Sequence, residues 1–130
     1  MESKLFKEKY PIYLSKIAKS ECRFGNVEEI VEYLKGKIEE HPVAVYIATF
    51  DHYRHTKSLA EGSVAPEIAA ATDLVFCFGK ELKVPEVLAV RPRSIGVCEL
   101  ADSFVVSFME APNPQANEAM LEWVGSIEKG

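Results

Sequence analysis

The stretch SIGVCEL-AD-SFVVSFME, residues 94–110, holds the key to the fold. Two β-branched and aromatic runs, Ser94–Leu100 and Ser103–Glu110, flank the dipeptide Ala101-Asp102, which is the spacing of a β-hairpin. Two further runs precede it. Val43–Phe50 (VAVYIATF) is short, β-branched and aromatic and predicts a strand, and Leu74–Phe78 (LVFCF), stopped by Gly79, predicts another. Val87–Val90, between Pro85 and Pro92, reads as a short strand or an extended connector. Nearer the start, Tyr10–Glu21 predicts a partly exposed first strand with Tyr10, Ile12, Tyr13 and Ile17 interleaved with polar residues.

Two helices frame these strands. Asn26 is a capping residue with Glu29 three positions on, and Val27, Ile30, Val31, Leu34 and Ile38 recur at helical spacing. His41-Pro42 stops this helix, because the residue before a proline is pushed out of the helical region. The second helix begins near Asn113 with Pro114 at its first position, and its apolar stripe is Ala116, Met120, Trp123, Val124 and Ile127. Between the strands, Asp51–Gly62 (DHYRHTKSLAEG) reads as a loop or short irregular helix.

The order is therefore β-α-β-loop-β-(β)-β-β-α. It predicts a single α+β domain over residues 1–130, with an antiparallel or mixed sheet of four to six strands and two helices on one face. A chain of this length buries roughly two-thirds of its unfolded surface without a metal or disulfide staple. Strands Val43–Phe50, Leu74–Phe78 and Phe104–Met109 are apolar on both faces, yet two helices cover only one. A homodimer is the expected cover for the second face.

Composition narrows the partners. A net charge of -5 argues against nucleic acid and anionic membranes. The charged N-terminus carries no signal-like apolar stretch, and the longest apolar run is too short to span a bilayer. Cys22, Cys77 and Cys98 are odd in number and widely spaced, as in reduced cytoplasmic thiols. The expectation is a cytoplasmic soluble domain.

Chemistry-bearing residues are few. Asp51, His52 and His55 follow a buried strand, where sites tend to be placed. Three roles are open to His52: a strand-end histidine bonded to a backbone carbonyl, a metal or haem-type ligand with Asp51 and His55, or a general base. Arg91 and Arg93 flank Pro92, so both guanidinium groups leave one face of an extended segment and form either a clamp for a carboxylate or phosphate or ordinary ion pairs. Cys77, between two phenylalanines, reads as a buried inert thiol, and Cys98 beside Glu99 is a poor nucleophile. Trp123, Tyr46 and Tyr53 read as core or interface. No phosphate-binding loop, dinucleotide fingerprint, nucleophile elbow or metalloprotease helix occurs.

From Val27 to about Met120 the chain resembles the bacterial family known as domain of unknown function three-zero-two. The likeness lies in Phe50-Asp51-His52 after a helix-strand opening, Phe78-Gly79 ending a strand, the Arg91-Pro92 step, and the Ala111-Pro112 turn. Lys80-Glu81 replaces the family's Asn-Pro after the glycine, and Ala111 replaces an acidic residue, with Glu110 one place earlier. The resemblance implies a compact sheet with helices on one side, often a dimer, and no agreed activity. Three functions remain: a homodimeric domain binding a small anionic or metal-containing ligand through His52, Arg91 and Arg93; an enzyme with His52 as base and the arginines holding an anionic substrate; or a protein-protein interaction module without a pocket.

Overall fold

The computed structural model describes residues 1–130. Helix α1 spans Val27–Glu40 and begins as its sequence dictates. The Asn26 Oδ1 accepts from the Glu29 amide at 2.8 Å, and the Glu29 carboxylate in turn accepts from the Gly25 amide at 3.1 Å. The carboxylate thus reaches one residue further back than in the usual capping box. Val27, Ile30, Val31, Leu34 and Ile38 are buried on one side of α1. At the C-terminal end the backbone of His41 turns extended ahead of Pro42, and its Nδ1 accepts from the amides of Val43 and Ala44.

Six strands form one antiparallel sheet: β1 (Glu2–Phe6), β2 (Tyr10–Ala18), β3 (Val45–Asp51), β4 (Ala70–Cys77), β5 (Arg93–Glu99) and β6 (Ser103–Met109). Their order across the sheet is β1-β2-β6-β5-β4-β3. The hairpin forms as read: Gly96 pairs with Ser107 and Glu99 with Phe104, and the Leu100 amide donates to Ser103 O at 2.8 Å across the turn. Helix α3 (Pro114–Gly125) starts under the Asn113 side chain, which accepts from the Gln115 amide, and it lies with α1 on one face. Ile17, Leu74, Phe76, Ile95, Val97, Phe104 and Val106 point to that face and are buried with the helix stripes. Ile127 is buried too, although it lies past the end of α3, where its carbonyl accepts from the Arg23 amide.

Several expectations are corrected. β1 was not foreseen: its five residues are all exposed, and the tight turn that joins it to β2 contains neither glycine nor asparagine. Instead Lys7 and Glu8 themselves take positive φ angles of 53° and 63°. The first strand read from the sequence ends at Ala18, and Lys19–Glu21 is a 3₁₀ turn. Val87–Val90 is neither strand nor extended connector but part of a 3₁₀ helix, Pro85–Val90, with Pro85 at its first position. Asp51–Gly62 contains a short helix α2, His52–Ser58, begun by Asp51, whose carboxylate accepts from the Arg54 amide at 2.9 Å. β4 begins at Ala70 rather than Leu74, because Ala70–Asp73, in which Thr72 is the one strand-favouring residue, find partners on β5.

Candidate functional site

Arg91 and Arg93 do converge. Arg93 lies opposite Phe76 on β4, on the side of the sheet that the helices cover, and its guanidinium donates to the carbonyls of Met109 and Val90. Burial pulls its pKa down, and since arginine does not deprotonate in proteins the group stays a cation held among carbonyls. Its Nε is buried without a partner. Arg91 donates from Nη1 to Glu81 O at 2.6 Å.

Both arginines line a cavity of about 90 Å³ whose other walls include Phe78, Val87, Val90, Ala111 and Ala116. It adjoins a wider, more polar region of about 400 Å³, bordered by Lys80, Glu81, Lys83 and Arg91. There the one carboxylate, Glu81, is paired with Lys83 at 3.0 Å. The 3₁₀ helix supplies one wall, and the Ala111–Ala116 turn into α3 supplies the other. The cleft therefore joins an apolar depth to a cationic mouth, a combination suited to an anion with an apolar part. Lys80 and Lys83 were missed at the sequence level, although their closeness to Glu81 in the chain was visible there.

His52 lies elsewhere. Its Nδ1 is 3.1 Å from Asp73 Oδ2 on β4, so its partner is a carboxylate and not a backbone carbonyl. The His52 and His55 rings sit 5.5 and 5.3 Å from that of Phe50. Asp51 is turned to the start of α2, and no group of three or more histidine, cysteine or acidic side chains is arranged to hold a metal. The expected Asp51-His52-His55 ligand set is thus not assembled.

The joint site of His52 with the arginines is not assembled either. Asp51 pairs with Thr72 and Arg93 with Phe76, four residues along β4, which is about 13 Å. Asp73, which holds His52, faces the side of the sheet opposite to Phe76. An enzyme using His52 against a substrate held by Arg91 and Arg93 would need to bridge that separation. Asp73 carries no signal of a site in the sequence, where the apolar run begins one position later at Leu74.

Around the His52–Asp73 pair is a shallow depression of about 110 Å³, floored by Ala71, Gly96, Cys98 and Ser107. Burial, and then the charge of Glu99, push the Cys98 thiol up, as its neighbour in the sequence led us to expect. Cys77 is half-buried, its sulfur accepting from the Gly79 amide at 3.2 Å. Trp123 is core, stacked on Phe78 with ring centroids 5.7 Å apart.

A family model described as "Family of unknown function (DUF6858)" matches residues 1–129. The chain belongs to that family. The DUF6858 match takes in all six strands, the cleft and helices α1, α2 and α3. A family of unknown function was what the resemblance implied, but the match to DUF6858 does not confirm the number three-zero-two. No curated protein and no solved structure matches the chain. No helix is long and apolar enough to cross a membrane.

Proposed function

We propose that this DUF6858 chain is a cytoplasmic binding domain for a small organic anion. The ligand's carboxylate or phosphate rests on Arg91 at the mouth of the cleft, and its apolar part enters between Phe78, Val87 and Ala116. One observation carries the reading: two arginines line a single cavity with apolar walls, and two lysines border the region it adjoins, in a protein of net charge -5. Arg93 is the positioning partner. Its bonds to Met109 O and Val90 O tie β6 and the 3₁₀ helix together and so shape the wall, while Arg91 is the side chain with donors to offer a ligand.

The test is a thermal-shift and calorimetric titration with inorganic phosphate and a series of short-chain and aromatic monocarboxylates. Saturable binding that raises the melting temperature is expected for the carboxylates with an apolar body, through preferential binding to the folded state. Arg91→Met should weaken it roughly tenfold or more, the loss of a charge-assisted contact. Absence of saturable binding by any of these anions, or binding indifferent to Arg91→Met, would overturn the proposal.

A further inference from the structure

The second face of the sheet is open except at one corner, where the short helix α2 lies beside β3 and β4. Its middle row runs Glu2, Leu14, Ser107, Gly96, Asp73 and Phe50, strand by strand, and the next row runs Lys16, Val105, Cys98 and Ala71. We propose that this face is the interface of a homodimer, in which two copies of the chain stack sheet on sheet about a two-fold axis parallel to the strands, between β5 and β6. That axis lays β2 of each copy over β4 of the other. Extent, relief and charge each lead to a second copy as the occupant.

Six strands at about 4.8 Å and strands of about seven residues give roughly 600 Å² per copy in flat projection. That is the lower end of what stable interfaces bury from each partner, before the added area of the side chains. Apolar residues stay uncovered on the outer strands and at one end of the middle: on β3 Val45 and Phe50 are 57% and 42% exposed, on β1 and β2 Phe6 and Tyr10 are 47% and 48% exposed, and Met109 at the end of β6 is 45% exposed.

The relief is self-complementary. β4 and β5 present a trough of Ala71, Gly96 and Cys98, and the axis lays Lys16, Ser107 and Val105 of the other copy over these three in turn. At one corner α2 rises beside Phe50, with the rings of His52 and His55 against it. Across the axis from that corner β1 begins only at Glu2, level with Leu14, and has no member in the row of Lys16. The raised corner of one copy meets the short corner of its partner.

Charge selects this axis over its alternative. Lys16 on β2 and Asp73 on β4 stand on opposite halves of the face, and the axis brings Lys16 of one copy one row, about 7 Å along the strands, from the partner's Asp73, across the roughly 10 Å between stacked sheets. The lysine and aspartate side chains together span that gap. An axis perpendicular to the strands would instead stack β4 on β4 and turn the two Asp73 carboxylates toward each other, a like-charge contact that disfavours association.

Sedimentation or light scattering of the full chain from about 1 to about 100 µM tests the proposal. A species of twice the 14.5 kDa chain mass is expected. Lys16→Asp and Asp73→Lys should each weaken the dimer roughly tenfold or more by setting like charges opposite each other, and the double variant should recover it. Circular dichroism confirms that each variant is folded. A chain monomeric at about 100 µM, a dimer insensitive to either reversal, or single losses that the double variant does not recover would each overturn it. The Arg91 cleft lies toward the helices, so anion binding and dimerisation succeed or fail separately.

Discussion

The two faces of this sheet are made by the same strands and have opposite characters. On β4, Leu74 and Phe76 are fully buried beneath α1 and α3, while their neighbours Asp73 and Val75 point the other way and are only half-buried. On β6 the same alternation separates Phe104 and Val106 from Val105 and Ser107. The covered face is large-residue, apolar and closed, which is what holds the fold together. The open face mixes small residues, a ridge, a histidine-carboxylate pair and the lysines Lys4 and Lys16. That mixture contributes little to folding one chain, and its pattern makes sense as a surface for recognition.

Removing the same side chain from each face tests this contrast most severely. Phe76→Ala should lower the unfolding free energy by about 3–5 kcal/mol, since a fully buried ring leaves a cavity among Leu74, Trp123 and Phe78. Phe50→Ala, at 42% exposure on the open side, should cost the monomer at most about 1 kcal/mol. Urea denaturation at low protein concentration measures both. Comparable losses would mean that the open face also carries the fold of the single chain.

A smaller effect concerns the edge that both faces share. Lys7 and Glu8 hold left-handed conformations in the β1–β2 turn, where their Cβ atoms are crowded. Replacing the pair by Asn-Gly should raise stability by about 1 kcal/mol, because these residues adopt that turn with less strain. Thermal melts of the two chains check it, and a loss of stability would show that β1 is held in place by something other than its turn.

The smallest effect separates the faces chemically. Cys98, on the open side, has its pKa raised above the ordinary 9.0, chiefly by burial and then by Glu99. At pH 9 its thiol should therefore alkylate several-fold more slowly than in the unfolded chain, since the thiolate is the reactive form. The folded state binds this proton more tightly, so Cys98 makes stability fall as pH rises through 9.0. Cys98→Ala should flatten that decline in pH-dependent denaturation curves, and an unchanged slope would assign the decline to other groups.

Much of the architecture was readable in short windows of the chain. The helical period from Val27 to Ile38, the Asn26 cap, the Asn113-Pro114 start of α3 and the hairpin of residues 94–110 all formed where local pattern placed them. Those signals come from the chain's own geometry: the turn of a helix, the pleat of a strand, and a side chain within reach of its own backbone amides. The pairing of Arg91 with Arg93 in one cavity was also legible, because only one residue separates them.

What the windows did not contain was the order of the strands. β1 became a strand only by pairing with β2, and Ala70–Asp73 only by pairing with β5 and the end of β3, so neither announced itself through apolar alternation. His52 gained Asp73 as a partner, and lost the arginines, for the same reason: β3 is the sheet's outer edge, so its end meets only β4. Which segments are helix and which can be strand follows from the chain alone, because those preferences are settled within a few residues. Which face each charged side chain occupies and whom it meets follows only from the folded sheet, because that depends on hydrogen-bonded register between segments far apart in the chain.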